Sequence, residues 1–211
     1  MNYRSLLLLA IVLCAADAAS AQSAPPKPPK ALNTLALAGE AIAVLPLTLT
    51  AVDPVLARDS TLTPLGDRRL VRRWADSVIG DGLQARAPEV TWVLPPKLRQ
   101  IARRNPGMVP EPDQMGQSIL RSPKIKRVPD PLRANLRSLT SFTGSRFAIV
   151  PAALAFVRDT SGSLRADLSL ALADTRTGAV AWHALTWGMG GSPDEALNAA
   201  LAAVLPLNAG P

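Results

Sequence analysis

Apolar and polar residues fall along this chain in blocks of different period, and each period predicts an element. Residues 40–49 (EAIAVLPLTL) form a near-continuous apolar run, as a buried strand requires, and Pro46 marks where its ladder should end. Over residues 67–87 the period lengthens. Leu70, Trp74 and Val78 recur every fourth position beside Val71, while Arg68, Arg69, Arg72, Arg73 and Asp76 fall mostly on other faces. That is an amphipathic helix, expected to fray at Gly80 and Gly82. Residues 89–94 (EVTWVL) read as a short strand stopped by Pro95 and Pro96, and residues 97–104 as a brief basic helix. Residues 105–129 carry several prolines and two glycines, which predicts an irregular excursion with one helical turn near 115–120.

Beyond it, Asp130-Pro131 has the form of an N-cap followed by proline at the first helical position, with Leu132, Leu136 and Leu139 as the buried stripe and Gly144 as the stop. Residues 146–157 are apolar on both faces. DTSGS at 159–163 and DTRTG at 174–178 are turn chemistry, and residues 164–173 alternate between them, with Leu164, Leu168, Leu170 and Leu172 on one face. With residues 179–187, these segments predict an antiparallel meander. Ser192-Pro193-Asp194-Glu195 is a capping box that opens a small-residue helix ended by Pro206. The expected fold class is α/β: a mixed sheet of about five strands, a C-terminal antiparallel three-strand meander, and helices packed on it.

The amino terminus supplies an address. Arg4 precedes an apolar run of 11 residues (6–16), and Ala19-Ser20-Ala21 offers the small residues a signal peptidase reads, so cleavage is expected between Ala21 and Gln22. The run is too short for a membrane span, which takes about 20 residues. Lipidation of Cys14 is the alternative, but Leu13 stands where that signal takes Gly, Ala or Ser. The expected organisation is a signal peptide at 1–21, a proline-rich tether at 22–37 and one α/β domain at 38–207. That domain carries a Pro/Arg-rich insertion at about 95–130, and a short tail follows at 208–211. The mature product should be periplasmic or secreted. Cys14 is the only cysteine, so cleavage leaves no thiol for catalysis, metal binding or a disulfide.

Catalytic chemistry is poorly supplied. His183 is the only histidine, there is no Gly-x-Ser-x-Gly elbow, and Glu111 and Asp113 read as solvated loop charges. Gly188-Met189-Gly190-Gly191 superficially matches a phosphate-binding turn, but Asp194 and Glu195 occupy the following helix start, so it reads as a flexible turn. No catalytic set, cofactor or metal site is assigned. A carboxylate- or His183-dependent envelope hydrolase and a subunit of a larger envelope assembly stand as the alternative functions.

Charge says more. Residues 66–146 hold 16 Lys and Arg against 7 Asp and Glu, whereas residues 147–211 hold 3 against 5. The positive side chains cluster as Arg68, Arg69, Arg72 and Arg73, then Lys97, Arg99, Arg103 and Arg104, then Arg121, Lys124, Lys126 and Arg127. These are the candidate partner-binding residues. Their partner is expected to be an envelope protein or an anionic envelope polymer or lipid head group. Nucleic acid is disfavoured, because the chain is exported and no stacking aromatics interleave with the arginines.

Ala41 to Leu47 (AIAVLPL) resembles the opening strand of bacterial envelope proteins with the TolB amino-terminal-domain-like fold. That group includes the curli-secretion lipoprotein and lipoprotein activators of penicillin-binding proteins. Arg146 to Pro151 (RFAIVP) resembles the group's middle strand and Leu170 to Trp182 (LALADTRTGAVAW) its hairpin, and the helix with Ala196 and Leu197 fits the same order. The resemblance implies a non-enzymatic protein that binds partners in the envelope or assembles there. The chain departs from the group in lacking a lipobox, in the 95–130 insertion, and in having no pore-forming hairpins. The missing lipobox argues against outer-membrane anchoring, and the other two departures argue against a curli-type channel.

Overall fold

The computed structural model describes residues 29–159 and 162–206. The expected signal peptide and cleavage site, Cys14 and the expected 208–211 tail lie outside the described residues. Strands β1 (Ala41–Val44), β2 (Thr50–Val52), β3 (Thr91–Val93), β4 (Phe147–Arg158), β5 (Leu164–Asp174) and β6 (Val180–Gly190) form one mixed sheet. Its order is β3-β1-β4-β5-β6, with β2 also paired to β4. β1 runs parallel to β3 and β4, and β4, β5 and β6 make the antiparallel meander. The helices are α1 (Pro54–Ala57), α2 (Arg68–Arg86), α3 (Pro95–Arg104), α4 (Leu132–Ser141) and α5 (Pro193–Ala202), with 3-10 turns at Pro112–Gln114 and Gln117–Arg121.

Two apolar layers hold the sheet between them. On one face Val71, Ala75, Ile79 and Leu83 of α2 and Leu197 and Leu201 of α5 bury Leu164, Leu168, Leu170 and Leu172 of β5. On the other, Leu98 of α3, Leu120, and Leu132, Leu136 and Leu139 of α4 cover Ala148, Val150, Ala171 and Ala173. Residues 29–37, at the end of the stretch expected to be a tether, pack against the body. Leu32 N–H donates to Val204 O at 2.9 Å, Trp182 Nε1 donates to Lys30 O at 2.9 Å, and Leu37 is buried.

β2 adds a strand that the pattern does not predict. The ladder leaves β1 at Val44, and the chain rejoins β4 at Thr50. Between them Leu45 N–H reaches Ile149 O and Leu154 N–H reaches Leu49 O, while β4 shifts register between Pro151 and Ala153. Pro46 lacks the N–H a continuous ladder needs, so the chain leaves pairing there, while β4 runs on unbroken and slips its register against β5 just past Pro151.

The buried stripe of α2 is rotated by one residue from the expected one. Val71, Ala75, Ile79 and Leu83 face the sheet, whereas Leu70 is 50% exposed. Trp74 leans across to α5, where its Nε1 donates to Asp194 Oδ1 at 3.1 Å. Gly80 and Gly82 do not fray the helix, which continues to Arg86. A Cβ on Gly82 would lie 2.9 Å from Leu201 Cδ1, so the missing side chain lets α2 and α5 approach. Gly188 and Gly190 likewise belong to β6 rather than to a flexible turn. A Cβ on Gly188 would meet Ala200 N at 2.2 Å, and α5 therefore lies directly on strand backbone.

The capping box forms in part. Ser192 Oγ accepts from Glu195 N–H at 3.2 Å, but the Glu195 carboxylate accepts from Gly191 N–H rather than from the cap residue. α4 has no side-chain cap: Pro131 rather than Asp130 stands at the cap position, so the aspartate does not serve the first amides.

Candidate functional site: an arginine groove between α2 and α3

The break between β1 and β2 leaves polar backbone groups inside the fold, and side chains from two layers meet them. Asp76 Oδ1 accepts from Leu47 N–H at 2.7 Å, and Gln117 Nε2 donates to Pro46 O at 3.1 Å and Pro112 O at 2.8 Å. Asp76 Oδ2 in turn accepts from Arg99 Nη2 at 2.6 Å. Arg99 also grips Asp113 through two bonds of 2.7 Å, from Nε and Nη2. The Asp76 side chain is 4% exposed and that of Arg99 is 21% exposed, so this chain of ions forms a floor rather than a rim.

Burial pushes the Asp76 carboxyl above its ordinary pKa, against the opposing pull of Leu47 N–H and Arg99. Hydrogen bonds from Arg99 hold Asp113 below the usual carboxylate range, although burial works the other way. The same bonds to Asp113 raise the Arg99 pKa above its already high value, outweighing desolvation. Arg99 therefore remains charged and is satisfied internally. Asp113 is ion-paired rather than a solvated loop charge.

Above this floor lies a groove of about 740 Å³ lined by Arg69, Arg72 and Arg73 of α2, Arg99 and Arg103 of α3, and Glu111, Asp113 and Gln114 of the following loop. Asp67 caps α2, accepting from Arg69 N–H at 2.6 Å and Leu70 N–H at 3.4 Å, and thereby fixes the turn that presents the arginines. Arg72 Nε donates to Arg68 O at 3.2 Å. Among the described residues, no carboxylate stands within ion-pair distance of Arg69, Arg73 or Arg103. Each carries five unspent donors in a planar fork suited to carboxylate or phosphate.

The fold thus brings two of the three basic clusters to one place, and only in part. Arg68 and Arg104 are exposed outside the groove lining. Lys97 turns toward a separate hollow with Trp92, Leu94 and Phe142. Arg121 borders a cleft on the open half of the sheet, Lys124 and Lys126 are exposed, and Arg127 Nη2 donates to Thr177 O beside the β5–β6 turn at 3.1 Å.

That cleft, of about 680 Å³, is a second surface that the pattern of residues does not foretell. Leu49, Ala51, Ala153, Ala155, Leu185 and Trp187 line it, with Leu185 56% and Trp187 50% exposed. His183 is half-buried, with Nε2 3.1 Å from Leu120 O, and burial lowers its pKa. Among the described residues, no group of three or more His, Cys, Asp or Glu is placed to hold a metal ion, and no helix is long and apolar enough to cross a membrane.

No protein-family model matches the chain, and no curated protein matches its sequence. Several solved structures are similar to it. The C-terminal domain of LpoB from Salmonella enterica is 12% identical over 72% of this chain and 84% of its own, with a TM-score of 0.45. PelC from Paraburkholderia phytofirmans, solved as a dodecamer, is 15% identical over 85% of this chain and 92% of its own, with a TM-score of 0.40. Lipoprotein GNA1162 from Neisseria meningitidis is 15% identical over 72% and 81%, with a TM-score of 0.35. All three likenesses are distant.

Proposed function

We propose that this chain is an exported, non-enzymatic binding module of the bacterial envelope, and that its α2–α3 groove recruits an anionic partner. One observation carries the reading: Arg69, Arg73 and Arg103 line a common groove without a carboxylate partner. Their position sharpens it. Arg68 and Arg69 occupy the first turn of α2, where the positive end of the helix dipole disfavours cations by about 0.3–1 kcal/mol each, and Arg72 and Arg73 follow in the next turn. The two arginines of that first turn oppose local stability, and such departures from local preference concentrate where a protein has another task.

The signal-like residues 1–21 and the resemblance to the TolB amino-terminal-domain-like envelope group support an envelope address and a binding role. Arg68, Lys97, Arg104, Arg121, Lys124, Lys126 and Arg127 extend the positive field that steers the partner inward.

Retention of the mature chain on isolated envelope fractions, measured across a salt series, tests the reading. Replacing Arg69, Arg73 and Arg103 with Glu should lower low-salt retention by at least about tenfold. Reversing Lys124, Lys126 and Arg127 should cost much less. Equal losses from both sets would point to a diffuse field, and unchanged retention after the groove reversal would remove the recruitment reading.

A further inference from the structure

The groove is not uniformly basic, and its asymmetry bears on what fits. One wall is α2, presenting Arg69, Arg72 and Arg73 at helical i, i+3 and i+4 positions, and the floor and far side carry Arg99 and Arg103, again four apart. Guanidinium groups so spaced repeat once per helical turn, about 5–6 Å between Cβ atoms. The remaining wall is the loop with Glu111, Asp113 and Gln114.

A phosphate polymer carries negative charge at every repeat and would set some of it against these two carboxylates. A peptide carries carboxylates at chosen positions, with neutral side chains between them, and can turn Asn, Gln or Ser side-chain donors toward Glu111 and Gln114. Leu70, next to Arg69 in α2 and 50% exposed, lies outside the groove lining but offers an apolar surface that a peptide side chain can meet and a polyphosphate cannot.

Resting on the recruitment reading above, we infer that the groove takes an acidic peptide segment of a partner protein, helical and with carboxylates one turn apart, rather than a phosphate polymer. The partner's carboxylates pair with Arg69, Arg73 and Arg103, while Arg99, already held by Asp76 and Asp113, positions the floor.

The test titrates the mature chain with two probes of equal total charge at low salt. One is an alanine-based peptide of about fifteen residues with glutamates four apart and glutamines between them, and the other is inorganic polyphosphate. The peptide should bind at least about tenfold more tightly, and Arg69→Gln/Arg73→Gln/Arg103→Gln should abolish that binding with the unfolding midpoint retained. Glu111→Gln should strengthen polyphosphate binding and leave peptide binding equal or weaker. Polyphosphate binding as tight as the peptide in the unaltered chain would overturn the inference and leave recruitment standing. Binding of neither probe would overturn both.

Discussion

The α2–α3 groove and the open half of the sheet at β4–β6 differ in how each uses charge. On the open half, Arg165 Nη2 meets Asp167 Oδ2 at 2.9 Å beside a surface of Leu185, Trp187 and Met189, and Arg121 at the cleft edge donates to Ser118 O. Nearby, Arg158 pairs with Asp59, and at the other end of the meander Arg146 holds Asp174. Among the arginines lining the groove only Arg99 is ion-paired, and Arg69, Arg72, Arg73 and Arg103 have no carboxylate at ion-pair distance among the described residues. Five basic side chains of the middle part of the chain therefore share one recess, while the others are spread over the surface outside it. The comparison separates arginines that stabilise the fold from arginines available to something outside it.

That separation yields graded predictions. The largest effect should follow Asp76→Ala, which leaves the Arg99 guanidinium half-satisfied and Leu47 N–H without an acceptor. Equilibrium denaturation should show a loss of about 3–5 kcal/mol. A loss below about 1 kcal/mol would mean that the floor is not structural. Next comes Gly188→Val on the closed underside of β6, where the new side chain meets α5 backbone. Its cost should sit at or above the upper end of the usual overpacking range of about 1–3 kcal/mol.

Acid should act through Asp174. Burial works to raise its pKa, but amide bonds from Thr177 and Arg176 and the pairing with Arg146 outweigh it, and the net direction is down from 3.8. A depressed folded-state pKa gives stability that is present above the unfolded value and lost as pH falls through the folded one. Stability measured from pH 5 downward should therefore decline below about pH 4, and Asp174→Asn should flatten that limb. The smallest effect has the opposite sign. Arg69→Gln removes an unpaired cation from the first turn of α2 and should raise stability by about 0.3–1 kcal/mol, read as a small increase in the unfolding midpoint.

The sheet was largely legible in the sequence because burial and period coincide there. The alternation of Leu164 to Leu172, the DTRTG turn and the stripe at Leu132, Leu136 and Leu139 all stand where the pattern puts them. What escaped was decided by contacts between distant segments. β2 is three residues long and carries no periodicity of its own; it exists because the chain that leaves β4 near Pro46 rejoins the same long strand at Leu154. The α2 stripe turned by one residue because small Ala75, Gly80 and Gly82 permit a closer approach than Leu70 and Trp74 would. Asp76 gave only a weak signal, an acid beside an apolar stripe, and its partner Arg99 lies 23 residues away. Local spacing could group the arginines into clusters but could not distinguish the paired one from the unpaired ones.

The most direct measurement compares the mature chain with its Arg69→Gln/Arg73→Gln/Arg103→Gln variant, recording retention on envelope fractions and the unfolding midpoint of the same samples. The account predicts that retention falls by at least about tenfold while the midpoint stays equal or rises. Full retention by the variant, or a loss that appears only together with a lowered midpoint, would contradict it.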